Sequence, residues 1–139
     1  MTNATLEHMI KNCPVDNTFK IIGKKFTFHI VRNIAMRNQT RFNEFLNTIE
    51  NINPKTLALR LKELEETGII QRDVYDETPI RIEYTLTKKG QDLQGIIDQM
   101  ATFSMKHYPK TVFKDGKKRN YKQVFKKPVT ILHWNSIFE

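Results

Sequence analysis

Cys13 is the one cysteine of the 139-residue sequence, and its four histidines are His8, His29, His107 and His133. An enzyme built on these would need the fold to bring Cys13 beside a histidine. The sequence contains no H-E-x-x-H, C-x-x-C or G-x-S-x-G. One cysteine among dispersed histidines gives no metal-ligand spacing and no intrachain disulfide, so neither a metal nor a cofactor is expected. A histidine on an apolar helix, such as His29, is ordinarily just packed. Hydrogen-bond donors on a helix carry the clearer chemistry. Between Asn51 and Gly68 the sequence reads NINPKTLALRLKELEETG. Lys55, Thr56 and Arg60 stand there with Leu59 and Glu63 off a leucine stripe, and donors near a helix start suit base edges in the major groove. The competing reading is an amphipathic helix with a solvated polar face.

The elements that must position these donors follow from local signals. Asn53 is a good N-cap and Pro54 suits the first helical position. Leu57, Leu61 and Leu64 share one face, and Gly68 stands where a left-handed residue ends a helix. Upstream, residues 2–12 predict a short helix carrying Leu6, Met9 and Ile10, broken at Cys13-Pro14. Asp16 or Asn17 then caps a second, which carries Phe19, Ile21 and Ile22 and ends at Gly23. Lys24–Met36 reads as a buried helix with Phe26, Ile30 and Ile34 on one face. Thr40 is a plausible N-cap for Arg41–Ile49. That helix, joined to the donor-bearing one by a few residues, has the helix-turn-helix layout.

After Gly68 the period changes to two. Ile80, Ile82, Tyr84 and Leu86 alternate with Arg81, Glu83 and Thr85, so residues 69–86 predict a hairpin with its tip at Asp76–Pro79. A helix-turn-helix followed by a hairpin is a winged helix, an α+β but mainly helical class. Arg72 and Arg81 on the hairpin can meet phosphates or a minor groove, or else pair across the strands with Asp73 and Glu83. Thr87 caps a last long helix whose stripe of Leu93, Ile96, Ile97, Met100, Ala101 and Phe103 exceeds what one small domain needs. That excess predicts a dimer seam, with packing on the first helices as the alternative.

Pro109 closes that helix, and the composition changes. The formal charge is +8; residues 109–139 carry eight Lys/Arg against two acids, a net of +6, and residues 1–108 only +2. A basic chain favours a polyanionic partner, nucleic acid before anionic membrane. Here, however, the excess sits in the tail, with Lys117, Lys118 and Arg119 as its cluster and Tyr121, Phe125 and Trp134 interleaved, like a nucleic-acid arm; the competing reading is a solvated charged surface. Asp115-Gly116 signals a hairpin turn between Thr111–Phe113 and a later strand, and Val129–Trp134 reads as a strand. No run of about 18 apolar residues spans a membrane, and the N-terminus reads as no signal peptide, so a cytoplasmic protein is expected.

These pieces together resemble the HxlR-type winged-helix transcriptional regulators, relatives of the MarR group. The resemblance rests on Cys13-Pro14-Val15-Asp16, Ile22-Gly23-Lys24-Lys25-Phe26, Arg41-Phe42-Asn43-Glu44-Phe45, Lys55-Thr56-Leu57 with Arg60-Leu61-Lys62-Glu63-Leu64-Glu65, Gly68-Ile69-Ile70-Gln71-Arg72, and Pro79 with Glu83-Tyr84-Thr85-Leu86-Thr87 and Gly90. It covers residues 13 to about 108. It implies a homodimer on palindromic operators, with the helix at about 53–67 in the major groove and the wing on backbone or minor groove. On this basis Arg41, Asn53, Lys55, Thr56, Leu59, Arg60, Arg72 and Arg81 face double-stranded DNA. Leu6, Met9 and Ile10 with Leu93, Ile96, Ile97, Met100 and Phe103 line the dimer.

The sequence departs from the family in three places. Phe26 stands where a tryptophan is usual. Leu59 stands where a glutamine is frequent on the reading face, and a leucine can touch a thymine methyl instead. The extension 109–139 lies outside the family pattern. The resemblance also implies a possible redox role for Cys13, since a helix start stabilises a thiolate; the alternative is a small buried residue that senses nothing. A third reading is a winged-helix interaction module that has lost specific operator binding. No residue pattern picks out a small-molecule effector.

Overall fold

Leu57, Leu61 and Leu64 are buried with Ile30, Val31, Ile34, Phe45, Ile49, Ile69, Ile70, Tyr84 and Ile97 in one cluster, around which the elements are arranged. Residues 4–125 are described, in a computed structural model. The order is α1 (Ala4–Glu7), α2 (Pro14–Ile22), α3 (Thr27–Arg37), α4 (Phe42–Thr48), α5 (Pro54–Glu66), β1 (Ile70–Tyr75), β2 (Arg81–Leu86), α6 (Lys88–Gln91), α7 (Leu93–His107), α8 (Pro109–Val112) and α9 (Tyr121–Val124). This is a mainly helical α+β fold with a two-stranded antiparallel sheet.

The N-terminal helices are shorter or begin elsewhere than the periodicity predicts. α1 stops at Glu7, so Met9 and Ile10 lie beyond it. α2 starts at Pro14 with Cys13 in the N-cap position, not at Asp16 or Asn17, because proline at the first position has no N–H to satisfy. α3 begins at Thr27, not Lys24, because Phe26 adopts a left-handed φ of 75°. It ends at Asn38, also left-handed (φ 53°), a conformation asparagine tolerates better than most residues. Buried Asn33 then ties α3 to α4: its amide donates to Gln39 Oε1 (2.9 Å) and Thr48 Oγ1 (3.0 Å). The Glu44 carboxylate accepts from the N–H groups of Thr40 (3.2 Å) and Arg41 (3.0 Å), closing the start of α4.

α5 forms as its signals dictate. Asn53 Oδ1 accepts the Thr56 N–H at 2.8 Å, and Gly68 ends the run with φ 75°. The chain turns into β1, and β1 pairs with β2 in the register Ile70↔Leu86 to Tyr75↔Arg81. The Tyr84 N–H donates to the Thr40 carbonyl (2.7 Å), which ties the hairpin to the connection before α4, and the Thr87 N–H donates to the Ile69 carbonyl (3.1 Å), which closes the hairpin's open end. Thr87 Oγ1 also accepts the Gly90 N–H (3.0 Å), so Thr87 caps α6 as expected. Gly90 is required there, since a Cβ would stand 2.0 Å from the Ile69 carbonyl oxygen.

The long last helix divides at Asp92 into α6 and α7. Ile97 is 7% exposed and belongs to the core, and Leu93 packs half-buried against it. Ile97 is therefore taken by the core on the face of α7 toward α3, while Leu93 keeps part of its surface in the predicted dimer stripe. The expected hairpin at Asp115-Gly116 is replaced by helices: residues 109–112 form α8, and Asp115-Gly116 is a turn leading toward α9. Val129–Trp134, like Lys126 and Lys127, lies outside the described residues.

Truncating Leu61 to alanine should cost about 2–5 kcal/mol in urea unfolding followed by circular dichroism, the cost of a cavity in a packed core. Leu59→Ala, on the outer face of the same helix, should stay within about 0.5 kcal/mol of the parent.

Candidate nucleic-acid interface

With its leucines turned inward, α5 presents Lys55, Ala58, Leu59 and Lys62 as one exposed ridge at spacings of three, one and three. Lys55 and Leu59 are the expected readers. Ala58 and Lys62 also belong to this face, and the 3.6-residue period would have found them. Asn53 is exposed, but its Oδ1 is engaged as the cap, and Thr56 is half-buried.

Arg60 is placed differently from the expectation. Its side chain is only 16% exposed. Nε donates to the Lys25 carbonyl (2.9 Å), and the guanidinium meets both Glu63 carboxylate oxygens (3.1 and 3.3 Å). Lys24 Nζ completes the cluster at 2.9 Å from Glu63 Oε1. Arg60 therefore braces α5 against the segment between α2 and α3 and is not free on the reading face. Burial pushes the Glu63 carboxyl up, but the Lys24 hydrogen bond, the Arg60 charge and their companion contacts outweigh it and hold the group below its ordinary value.

On the wing, Arg81 is also committed. Its guanidinium donates to Glu77 (3.1 Å) and Glu83 (2.6 Å) and lies 3.9 Å above the centroid of Tyr75, its partner in register. Glu77 first and Glu83 second hold Arg81 firmly protonated. Of the two alternatives for Arg81, pairing with Glu83 is present, but along β2 and not across the strands, and the cross-strand contact is with Tyr75; Asp73 accepts from Gln71 (2.8 Å). Arg72 is exposed on β1 with no ion pair among the described residues. Arg41 is exposed at the start of α4, close enough to the wing tip for its charge to help hold Glu77 ionised after the Arg81 bonds.

The tail cluster is partly neutralised. Arg119 pairs with Asp115 and lies 5.0 Å from the Phe113 ring centroid, while Lys117 and Lys118 are exposed. Tyr121 Oη donates to Asp98 Oδ1 at 2.7 Å, which fastens α9 to α7. Burial pushes the Asp98 carboxyl up despite that bond. The described part of the extension is thus fastened to α7 through α9, with none of its residues buried.

Cys13 is exposed. Leu6, Met9 and Ile10 are exposed, as are Val15 and Phe19 of α2 and Ile96, Met100 and Phe103 of α7. The last three, at spacings of four and three, make one apolar stripe along α7. Val15 and Phe19 were not among the expected interface residues, although Phe19 at 65% exposure is a large apolar group in water. Among the described residues no group of three His, Cys, Asp or Glu side chains could hold a metal, and no helix is long and apolar enough to cross a membrane.

A helix-turn-helix with an outward-facing second helix and an attached hairpin is the architecture of a winged-helix DNA-binding protein. The HxlR-like helix-turn-helix model matches residues 21–112, and the chain belongs to that family. It is similar to the HTH-type transcriptional regulator YodB of Bacillus subtilis (strain 168), 40% identical over 93 residues, 66% of this chain and 82% of YodB. The redox regulator HypR in its oxidised form superposes with TM-score 0.62 at 37% identity, over 66% of this chain and 94% of HypR. PA1607 superposes with TM-score 0.66 at 27% identity, over 90% of this chain and 84% of PA1607. The protein is a transcriptional regulator with a helix-turn-helix DNA-binding fold, and not an enzyme.

The ion cluster at Glu63 gives a pH signature. A carboxylate whose folded pKa is depressed adds stability above its unfolded value, near 4.5, and loses it as pH falls through the folded value. Acid unfolding below about pH 5 should therefore be steeper for the parent than for Glu63→Gln, as read from urea midpoints across a pH series. Parallel curves would remove the ion cluster from the stability of α5.

Proposed function

We propose that the chain acts as a homodimer on inverted-repeat operators, with α5 in the major groove and the β1–β2 hairpin as a wing on backbone or minor groove. The observation that carries this reading is the outward ridge Lys55, Ala58, Leu59 and Lys62 on a helix whose opposite face is locked in the core. Lys55 and Lys62 supply contacts to phosphate or base edges. Arg72 is the wing cation without an ion pair among the described residues, and Arg41 stands beside the wing tip. Lys117 and Lys118 add phosphate contacts from the extension, which we take as residues 109–139 following a winged-helix domain of residues 1–108. The apolar residues exposed on α2 and α7, with Leu6, Met9 and Ile10, form the seam between two copies. A cytoplasmic location fits a DNA-binding regulator.

Selection of sites from random DNA by the full chain should return an inverted repeat. Lys55→Ala should then weaken binding to that duplex by about 1–3 kcal/mol in fluorescence anisotropy. Equal binding to every duplex would instead favour a winged-helix module without operator specificity.

A second reading is favoured by the exposed thiol of Cys13 at the first turn of α2 and by the relative HypR, which is a redox regulator. In this reading, oxidation or alkylation of Cys13 changes operator affinity. Diamide should then shift the affinity of the parent and leave Cys13→Ser unchanged; an equal shift in both proteins would rule out Cys13 as the sensor.

A further inference from the structure

The side chains left on the reading face are unusual in one respect: the polar group best suited to read a base is tied back. A guanidinium reads guanine through two parallel hydrogen bonds, but that of Arg60 is spent on Glu63 and its Nε on the Lys25 carbonyl. Thr56 is half-buried. What remains is a patch of two apolar side chains, Ala58 and Leu59, between two flexible lysines. Leu59 is 50% exposed. Lysine ammonium groups act as point charges and suit phosphates.

A leucine in the major groove can neither donate to a base edge nor accept from one. Against an amino or carbonyl group it removes water without replacing the hydrogen bond, which is unfavourable. The apolar feature of the major groove is the C5 methyl of thymine, and burying that methyl against Leu59 is favourable. No acidic side chain stands on α5 before Glu63, so no carboxylate in its first turns would accept from a cytosine amino group in place of this contact.

We infer that Leu59, with Ala58 beside it, is a specificity-determining residue that selects a thymine C5 methyl at one position of each operator half-site. This rests on the docking of α5 in the major groove proposed above. The same chemistry extends to 5-methylcytosine, which carries a methyl at the equivalent carbon. A 5-methylcytosine·guanine pair at that position should therefore be bound better than the unmethylated pair.

The test uses the full chain and the duplex recovered by selection. Each thymine is replaced in turn by deoxyuridine, which removes the methyl and nothing else, and affinity is read by fluorescence anisotropy. At one position the loss should be about fourfold per half-site for the parent, the scale of one buried methyl. With Leu59→Ala the thymine and deoxyuridine duplexes should bind equally. Leu59→Gln should move the preference at that position toward adenine, which a glutamine side chain can read through two hydrogen bonds. The deoxyuridine series on the parent needs no variant, so a folding defect cannot mask the answer. An operator with no deoxyuridine-sensitive thymine, or one whose sensitivity persists in Leu59→Ala, would overturn the inference and leave operator binding standing. Failure to enrich any sequence would overturn both.

Discussion

The burial of one leucine face of α5 is the constraint from which the rest follows. Leu57, Leu61 and Leu64 can leave water only by packing on Ile30, Ile34, Phe45 and Ile70, and that contact fixes the rotation of the helix. Once the rotation is set, Lys55, Ala58, Leu59 and Lys62 have no choice but to point outward. A shift of one residue in the packed face would turn Arg60 or Glu63 outward in their place. The surface we propose as functional is thus the remainder left by the core.

A second interaction holds the helix along its length. Glu63 gathers Lys24 and Arg60, and Arg60 reaches the Lys25 carbonyl. These contacts join the segment before α3 to the middle of α5. Their partly exposed position makes each modest in energy. Their larger effect is on availability, because they hold the planar arginine away from the outward face of α5 and leave apolar groups there. The wing repeats the pattern: Arg81 is held by Glu77, Glu83 and Tyr75, while Arg72 has no ion pair among the described residues.

Local signals were readable from the chain and distant ones were not. The Asn53 cap, the proline after it, the leucine spacing and Gly68 act within a few residues, and α5 formed where they place it. The period-two run 80–86 likewise became β2. The commitments of Arg60 were invisible because Lys24 and Lys25 lie more than thirty residues away in the chain. Phe26 hid the true start of α3, since nothing in an apolar residue announces a left-handed backbone. The inward side of Ile97 is not legible because the stripe on α7 is too wide for periodicity to say which side meets the core. Asp115-Gly116 is a genuine turn, but turn residues serve a helical connection as readily as a hairpin.

The extension bears on the charge argument. Its basic residues looked like a free arm, yet Arg119 is paired with Asp115 and Tyr121 is fastened to Asp98. Most of the net charge therefore sits on a segment whose described part packs against α7, and the winged-helix portion itself is nearly neutral. In the docking we propose, the outward face of α5 supplies selectivity through shape and apolar contact more than through field strength. The most direct measurement is an amide NMR titration of the labelled chain with its selected duplex. Shifts should concentrate on residues 53–62 and on β1 around Arg72. Shifts confined to residues 109–125, with α5 unmoved, would contradict the account.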